Sequence, residues 1–127
     1  MDSVTWQFHI IQEKRVMTIE ELQKFIDEQD AMFRALREDD FSEREHMFAR
    51  IIKLGEEYGE LCDEVLASIG GQRKDKMKDH ASTDLQDEFA DVVICTFMLA
   101  KALNVNIMQA LDHKIPKIRE KQNGQFQ

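Results

Sequence analysis

Between residues 92 and 103 the chain sets Val92, Val93, Ile94, Phe97, Met98, Leu99, Ala100 and Leu103 around nearly the whole circumference of a helix. A helix that is apolar on every side has to be covered on every side. Three neighbouring helices in one small domain can only just achieve that. The segment therefore calls for an all-α, four-helix bundle-like domain assembled into a homo-oligomer, with this helix near the subunit interface.

The remainder of the chain supplies the neighbours. Pro116 is the single proline and there are five glycines in 127 residues, so helix breakers are scarce. Thr18-Ile19-Glu20-Glu21 is a capping box, followed at helical spacing by Leu22, Phe25, Ile26, Phe33 and Leu36. Ser42-Glu43-Arg44-Glu45 is a second box. It opens a helix through Phe48, Ile51, Ile52, Leu54, Tyr58, Leu61, Cys62, Val65 and Ile69, which Gly70-Gly71 should stop. Residues 72–81 carry Arg73, Lys74, Lys76 and Lys78 and read as a polar connection. A third helix starts at Ser82 or Thr83 and runs to about Leu103. Asn106 caps a last one, which Pro116 should kink or shorten. The domain is thus 18–127, preceded by an extension, 1–17. There Val4, Trp6, Phe8 and Ile10 alternate with the period of a strand. A lone strand is not stable by itself, so this one packs on the bundle, pairs with another subunit or stays loose.

Charge and composition narrow the function. A net charge of −8 argues against nucleic-acid binding, which needs clustered Lys and Arg. No apolar run reaches the roughly 20 residues of a membrane span. The start, Met1 to Lys14, lacks the basic and apolar segments of a signal peptide. Cys62 and Cys95 occupy apolar helical positions, as reduced thiols do. The expectation is a cytoplasmic protein that binds neither membrane nor nucleic acid. A nucleotide ligand is compatible with the charge if a metal ion accompanies it.

Two carboxylate clusters point to such an ion: Glu56, Glu57 and Glu60 in the second helix, Glu88 and Asp91 in the third. Residues three or four apart share a helix face. If the two helices pack at about 8–10 Å between axes, the acids converge. Two charges 4 Å apart repel by about 4 kcal/mol at an effective dielectric near 20. A divalent cation or protons must offset that, and oxygen-only ligands favour Mg²⁺, with Mn²⁺ possible, over zinc. Taken alone, Glu56, Glu57 and Glu60 read equally well as a solvated face, which Asp63 and Glu64 extend. Glu88 and Asp91 lie among Leu85, Phe89, Ala90, Val92 and Val93, where a buried carboxylate needs a partner.

Other patterns carry less. Glu43-x-x-His46 has the spacing of a di-iron ligand pair but occurs once, in a first turn where acids serve the helix dipole. His9, His80 and His113 lack partner spacing, the cysteines lack a basic context, and Ile69-Gly70-Gly71-Gln72 is not a phosphate-binding loop. Lys53 is placed either to bridge Glu57 or to touch a phosphate. Lys114, Lys117, Arg119 and Lys121 form a basic patch on the last helix, where they also suit its dipole. Lys114 and Arg119 are the candidate substrate contacts.

Lys53-Leu54-Gly55-Glu56-Glu57-Tyr58-Gly59-Glu60-Leu61, followed by Asp87-Glu88-Phe89-Ala90-Asp91-Val92, resembles the E-E-x-x-E … E-x-x-D signature of MazG-like nucleotide pyrophosphohydrolases. Residues 99–105 and the Lys114 region resemble that family's closing helices; Pro116 and the N-terminal extension depart from it. The resemblance implies a homodimer or homotetramer that hydrolyses a nucleoside triphosphate, a dNTP or a non-standard nucleotide, to monophosphate and pyrophosphate. It assigns Glu56, Glu57, Glu60, Glu88 and Asp91 as Mg²⁺ ligands. Glu56 or Glu57 would alternatively orient the attacking water, and Lys53 and Lys114 would offset charge on the leaving group. Phe48, with Phe33, Phe41 and Trp6, would lie against the base, unless these rings are ordinary core. The phosphoribosyl-ATP pyrophosphatases of histidine synthesis share the same bundle and carboxylate logic. The alternatives are a non-catalytic helical oligomer with a regulatory metal or ligand site, and a plain partner-binding bundle.

Overall fold

The computed structural model describes residues 15–70 and 84–125. The described residues form four helices and no strand: α1 (Ile19–Leu36), α2 (Glu43–Ser68), α3 (Asp84–Ala102) and α4 (Ile107–Gln125). The alternating segment at Val4 to Ile10 and the basic stretch 72–81 lie outside the described residues.

Three of the helices, α1, α2 and α4, begin where the sequence offers a cap. The Thr18 hydroxyl accepts the Glu21 N–H at 3.2 Å. Ser42 accepts the Glu45 N–H at 3.1 Å while the Glu45 carboxylate reaches back to the Ser42 N–H at 3.5 Å, a complete capping box. Asn106 accepts the Gln109 N–H at 3.0 Å. Such caps satisfy donors that no helical carbonyl can reach.

The turn after α3 decides the architecture. Asn104 sits in the left-handed region at φ 55, a conformation asparagine tolerates better than most residues. The Val105 N–H bonds the Ala100 carbonyl at 2.9 Å and the Asn104 N–H bonds Lys101 at 3.2 Å, closing a Schellman turn. The chain then leaves at 106° to α3. As a result α4 buries none of its residues, and Leu111, Ile115 and Ile118 stay exposed. The described helices are consistent with the expected all-α bundle, with α4 standing apart from the packing of the other three. Three helices pack on one another and the fourth projects. Pro116 neither shortens α4 nor ends it. It removes the N–H that would bond the Asp112 carbonyl, a loss borne readily where that carbonyl faces water.

α2 lies along α3, and α1 packs chiefly on α3. The buried apolar residues are Ile26 of α1 and Met98, Ala100 and Ala102 of α3. Lys101 bonds Asp27 at 2.9 Å and ties α1 to the same stretch. α3 is not covered all round within the protomer: Phe89 is 54% exposed and Val93 46%. No single described helix is long and apolar enough to cross a membrane. Cys62 and Cys95 are free thiols, both half-buried.

Met98, at 2% exposure, is the centre of this small core. Met98→Ala should lower stability by about 2–5 kcal/mol, the usual cost of truncating a buried methionine. Urea unfolding followed by circular dichroism measures it.

Candidate metal centre

One face of α2 carries His46, Arg50, Lys53, Glu57, Glu60 and Glu64 at alternating spacings of four and three, the stripe a helix turns toward its neighbours. Where that stripe meets α3, carboxylate oxygens of Glu57, Glu88 and Asp91 lie within 4.8 Å of one another. Opposite ligands of a six-coordinate Mg²⁺ stand about 4.2 Å apart, so three oxygens at this spacing can close on one cation. Glu57 is 8% exposed. Its Oε1 accepts from Lys53 Nζ at 3.0 Å, whereas its Oε2 is buried without a partner, as is Oε2 of Glu88. An unpartnered buried carboxylate oxygen is costly. Two of them at one point, in a group of three acids, are chemically suited to a cation.

The electrostatics agree. Burial is the largest effect raising the Glu88 pKa, followed by the charges of Glu60, Asp91, Glu57 and Glu64. Asp91 is raised by burial first and then by Glu57 and Asp87, with Lys53 opposing. Glu60 is raised foremost by the Glu57 charge, then by burial and a hydrogen bond to Glu57. The Lys53 ammonium is already shared between Glu57 and Glu56, at 3.0 and 3.4 Å.

The sequence candidates thus divide. Glu57, Glu88 and Asp91 come together; Glu60 adjoins them and feels Glu57 but lies outside the triad. Glu56 points its largely exposed carboxylate to Lys53 and also lies outside it. Phe48 is half-exposed, with the Arg44 guanidinium 5.4 Å from its ring centre. Phe33 and Phe41 lie under Arg50 and Arg37, at 4.9 and 4.5 Å; Trp6 is outside the described residues. Lys114 and Arg119 are exposed on α4, and no hydrogen bond or ion pair links either to the triad among the described residues.

A second polar cluster escaped the sequence reading. Asp30 is 6% exposed and His46 2%, making His46 the most buried large side chain. His46 Nε2 meets Asp30 Oδ1 at 3.2 Å, Arg34 Nε donates to Asp30 Oδ2 at 2.9 Å, and further contacts join Arg34 to Glu43 and Arg37 to His46 Nδ1. Glu43 and His46 are thus partners of α1 and its following turn rather than ligands of one site. The available signal was Asp30 itself, a carboxylate at apolar spacing between Ile26 and Phe33. Burial, then the charges of Arg37 and Arg34, lower the His46 pKa from 6.5, with Asp30 opposing.

The chain matches no protein-family model, no curated protein and no solved structure.

The raised carboxyl groups favour the neutral form in the fold. Their contribution to stability is present at acid pH and is lost as pH rises above the ordinary values of 3.8 and 4.5. In chelator, Glu88→Gln should therefore melt higher than the parent protein, and the gap should widen as pH rises from the carboxylate range to neutrality. Mn²⁺ should raise the melting temperature of the parent and much less that of the variant. Thermal scans of the two proteins side by side check both expectations.

Proposed function

We propose that this chain is a divalent-cation-dependent hydrolase that cleaves a nucleoside triphosphate, a dNTP or a non-standard nucleotide, to monophosphate and pyrophosphate, a house-cleaning role suited to the cytoplasm. The carrying observation is the triad of Glu57, Glu88 and Asp91, with two buried carboxylate oxygens left unpartnered on facing helices. The resemblance of the Lys53–Leu61 and Asp87–Val92 segments to the MazG-like pattern supports the same reading.

The three triad carboxylates would hold Mg²⁺, or Mn²⁺ in its place, with Glu60 adjoining as an outer ligand. When bound, the ion neutralises the triphosphate and lowers the pKa of a coordinated water. Water adds to the α-phosphorus as the bond to the bridging oxygen breaks, and pyrophosphate departs with the electron pair. Lys53, already held between Glu56 and Glu57, is placed to offset negative charge that shifts onto the phosphates. Glu56 or Glu57 would take the proton from water, the role the resemblance gives to this pair. Homo-oligomer formation belongs to this reading, since α4 and the exposed side of α3 have apolar residues that the described residues do not cover. Lys114 and Arg119 would reach a nucleotide only in such an assembly.

One observation favours a second reading. Within a protomer no phosphate contact from α4 is assembled beside the triad, so a non-catalytic helical oligomer with a regulatory cation site fits the same acids. Product analysis separates the two. With Mg²⁺ and a panel of nucleoside and deoxynucleoside triphosphates, at least one should yield monophosphate and pyrophosphate. Glu57→Gln and Asp91→Asn should each slow that reaction by more than about 100-fold, beyond what loss of a group supporting a metal ligand costs. Absence of turnover across the panel, or full activity in both variants, would reject the hydrolase.

A further inference from the structure

α1 is joined to α2 by a polar knot near its C-terminal end, while its apolar packing is directed to α3. Donor and acceptor roles define the state of that knot. A guanidinium only donates, and Arg37 contacts His46 Nδ1, so Nδ1 carries the lone pair. The ring proton is therefore on Nε2 and is donated to Asp30 Oδ1 at 3.2 Å. The imidazole is neutral, 2% exposed and filled on both nitrogens. A second proton can go only onto Nδ1, where Arg37 already donates.

The surrounding charges come from three directions. α1 contributes Asp30 and Arg34, the latter bonded to both Asp30 and Glu43. The turn after α1 contributes Arg37, with Glu38 and Asp39 lining the same cleft of about 230 Å³. α2 contributes Glu43 and, one turn beyond His46, Arg50, whose charge acts on Arg37. Two guanidiniums thus bear on the imidazole, and one carboxylate touches it.

We propose that His46 is an acid-operated latch: its protonation expels Arg37 and frees the last turn of α1 and residues 37–42 from α2. The first half of α1 stays on α3, held by buried Ile26 and by the Lys101–Asp27 bond of 2.9 Å. The latch reaches the carboxylate site through Phe33, which lies 4.9 Å from the Arg50 guanidinium. Arg50 precedes Lys53 on the same face of α2, so release changes what stands beside Lys53 and Glu57. This holds whether or not the chain hydrolyses nucleotides.

The sign follows from the neutral native ring. Burial and the two arginines oppose the imidazolium, so stability of the latched state is complete above 6.5 and falls as pH drops below that ordinary histidine value. One proton changes the opening equilibrium by at most about tenfold per pH unit.

Hydrogen exchange read by mass spectrometry, corrected for intrinsic rates, tests the proposal between about pH 7.5 and about pH 5.5, on either side of the histidine range. Protection of residues 31–42 should fall with acidification in the parent protein, and protection of residues 94–102 in α3 should not. His46→Gln keeps a donor toward Asp30 and an acceptor toward Arg37 without a titrating ring, and its residues 31–42 should stay equally protected across the range. The His46 ring, followed by NMR, should titrate with the same midpoint as the loss of protection. Constant protection in the parent, an equal loss in His46→Gln, a loss shared by α3, or a ring midpoint unlike that of exchange would each overturn the latch. If His46→Gln does not fold, agreement or disagreement of the two midpoints in the parent decides it.

Discussion

The packing of α2 on α3 buries Glu57 beside two more acids, and the rest of the site answers to that one constraint. A carboxylate at 8% exposure loses most of its hydration. Lys53, one turn earlier, satisfies Oε1 alone. What is left is a carboxylate oxygen with no hydrogen-bond partner among the described residues, close to Glu88 and Asp91. Protons can relieve it at acid pH and a divalent cation at neutral pH, which is why the raised pKa values and the metal-ligating geometry are one phenomenon seen twice.

The same stripe of α2 that ends in acids begins in bases. His46 and Arg50 lie toward its N-terminal half, Lys53 at the middle, Glu57, Glu60 and Glu64 beyond. α1 lays Asp30 and Arg34 against the basic end, and α3 lays Glu88 and Asp91 against the acidic end. The basic end is internally paired and needs no ion. At the acidic end, Oε2 of Glu57 and Oε2 of Glu88 are buried without a hydrogen-bond partner among the described residues. The buried polar groups of the described residues thus fall along a single helix face, one set docking α1 and the other an acidic cluster with oxygens close enough to share a cation.

Its apolar groups are less fully used. Among the described residues four make up the buried apolar core, while Phe89, Val93, Leu111, Ile115 and Ile118 remain open to solvent. Among the described residues this apolar area has no cover, and it is what the proposed homo-oligomer would bury. The left-handed turn at Asn104 is its direct cause, because it sends α4 away from the helices it would otherwise cover.

Helix positions were legible in the sequence because they rest on local chemistry. Thr18, Ser42 and Asn106 each cap the helix their spacing announced; the carboxylates at 88 and 91 were recognisable from their i,i+3 spacing and apolar neighbours, and the one at 57 only through its pairing with them and the family resemblance. Other features depended on contacts between distant segments. Asp30 and His46 look like surface residues until α1 docks, since the one local sign, Asp30 at apolar spacing between Ile26 and Phe33, does not name the partner that buries it. Glu56 and Glu57 are adjacent in sequence, yet one is solvated and the other buried, because successive helical residues point about 100° apart and only the packing against α3 selects between them. The direction of α4, and with it the distance of Lys114 and Arg119 from the triad, hung on the backbone at one asparagine. Caps and periodicity are short-range and determined where the helices are. Which acids share a site, which histidine is buried and which faces stay uncovered are long-range outcomes, and only the assembled helices decided them.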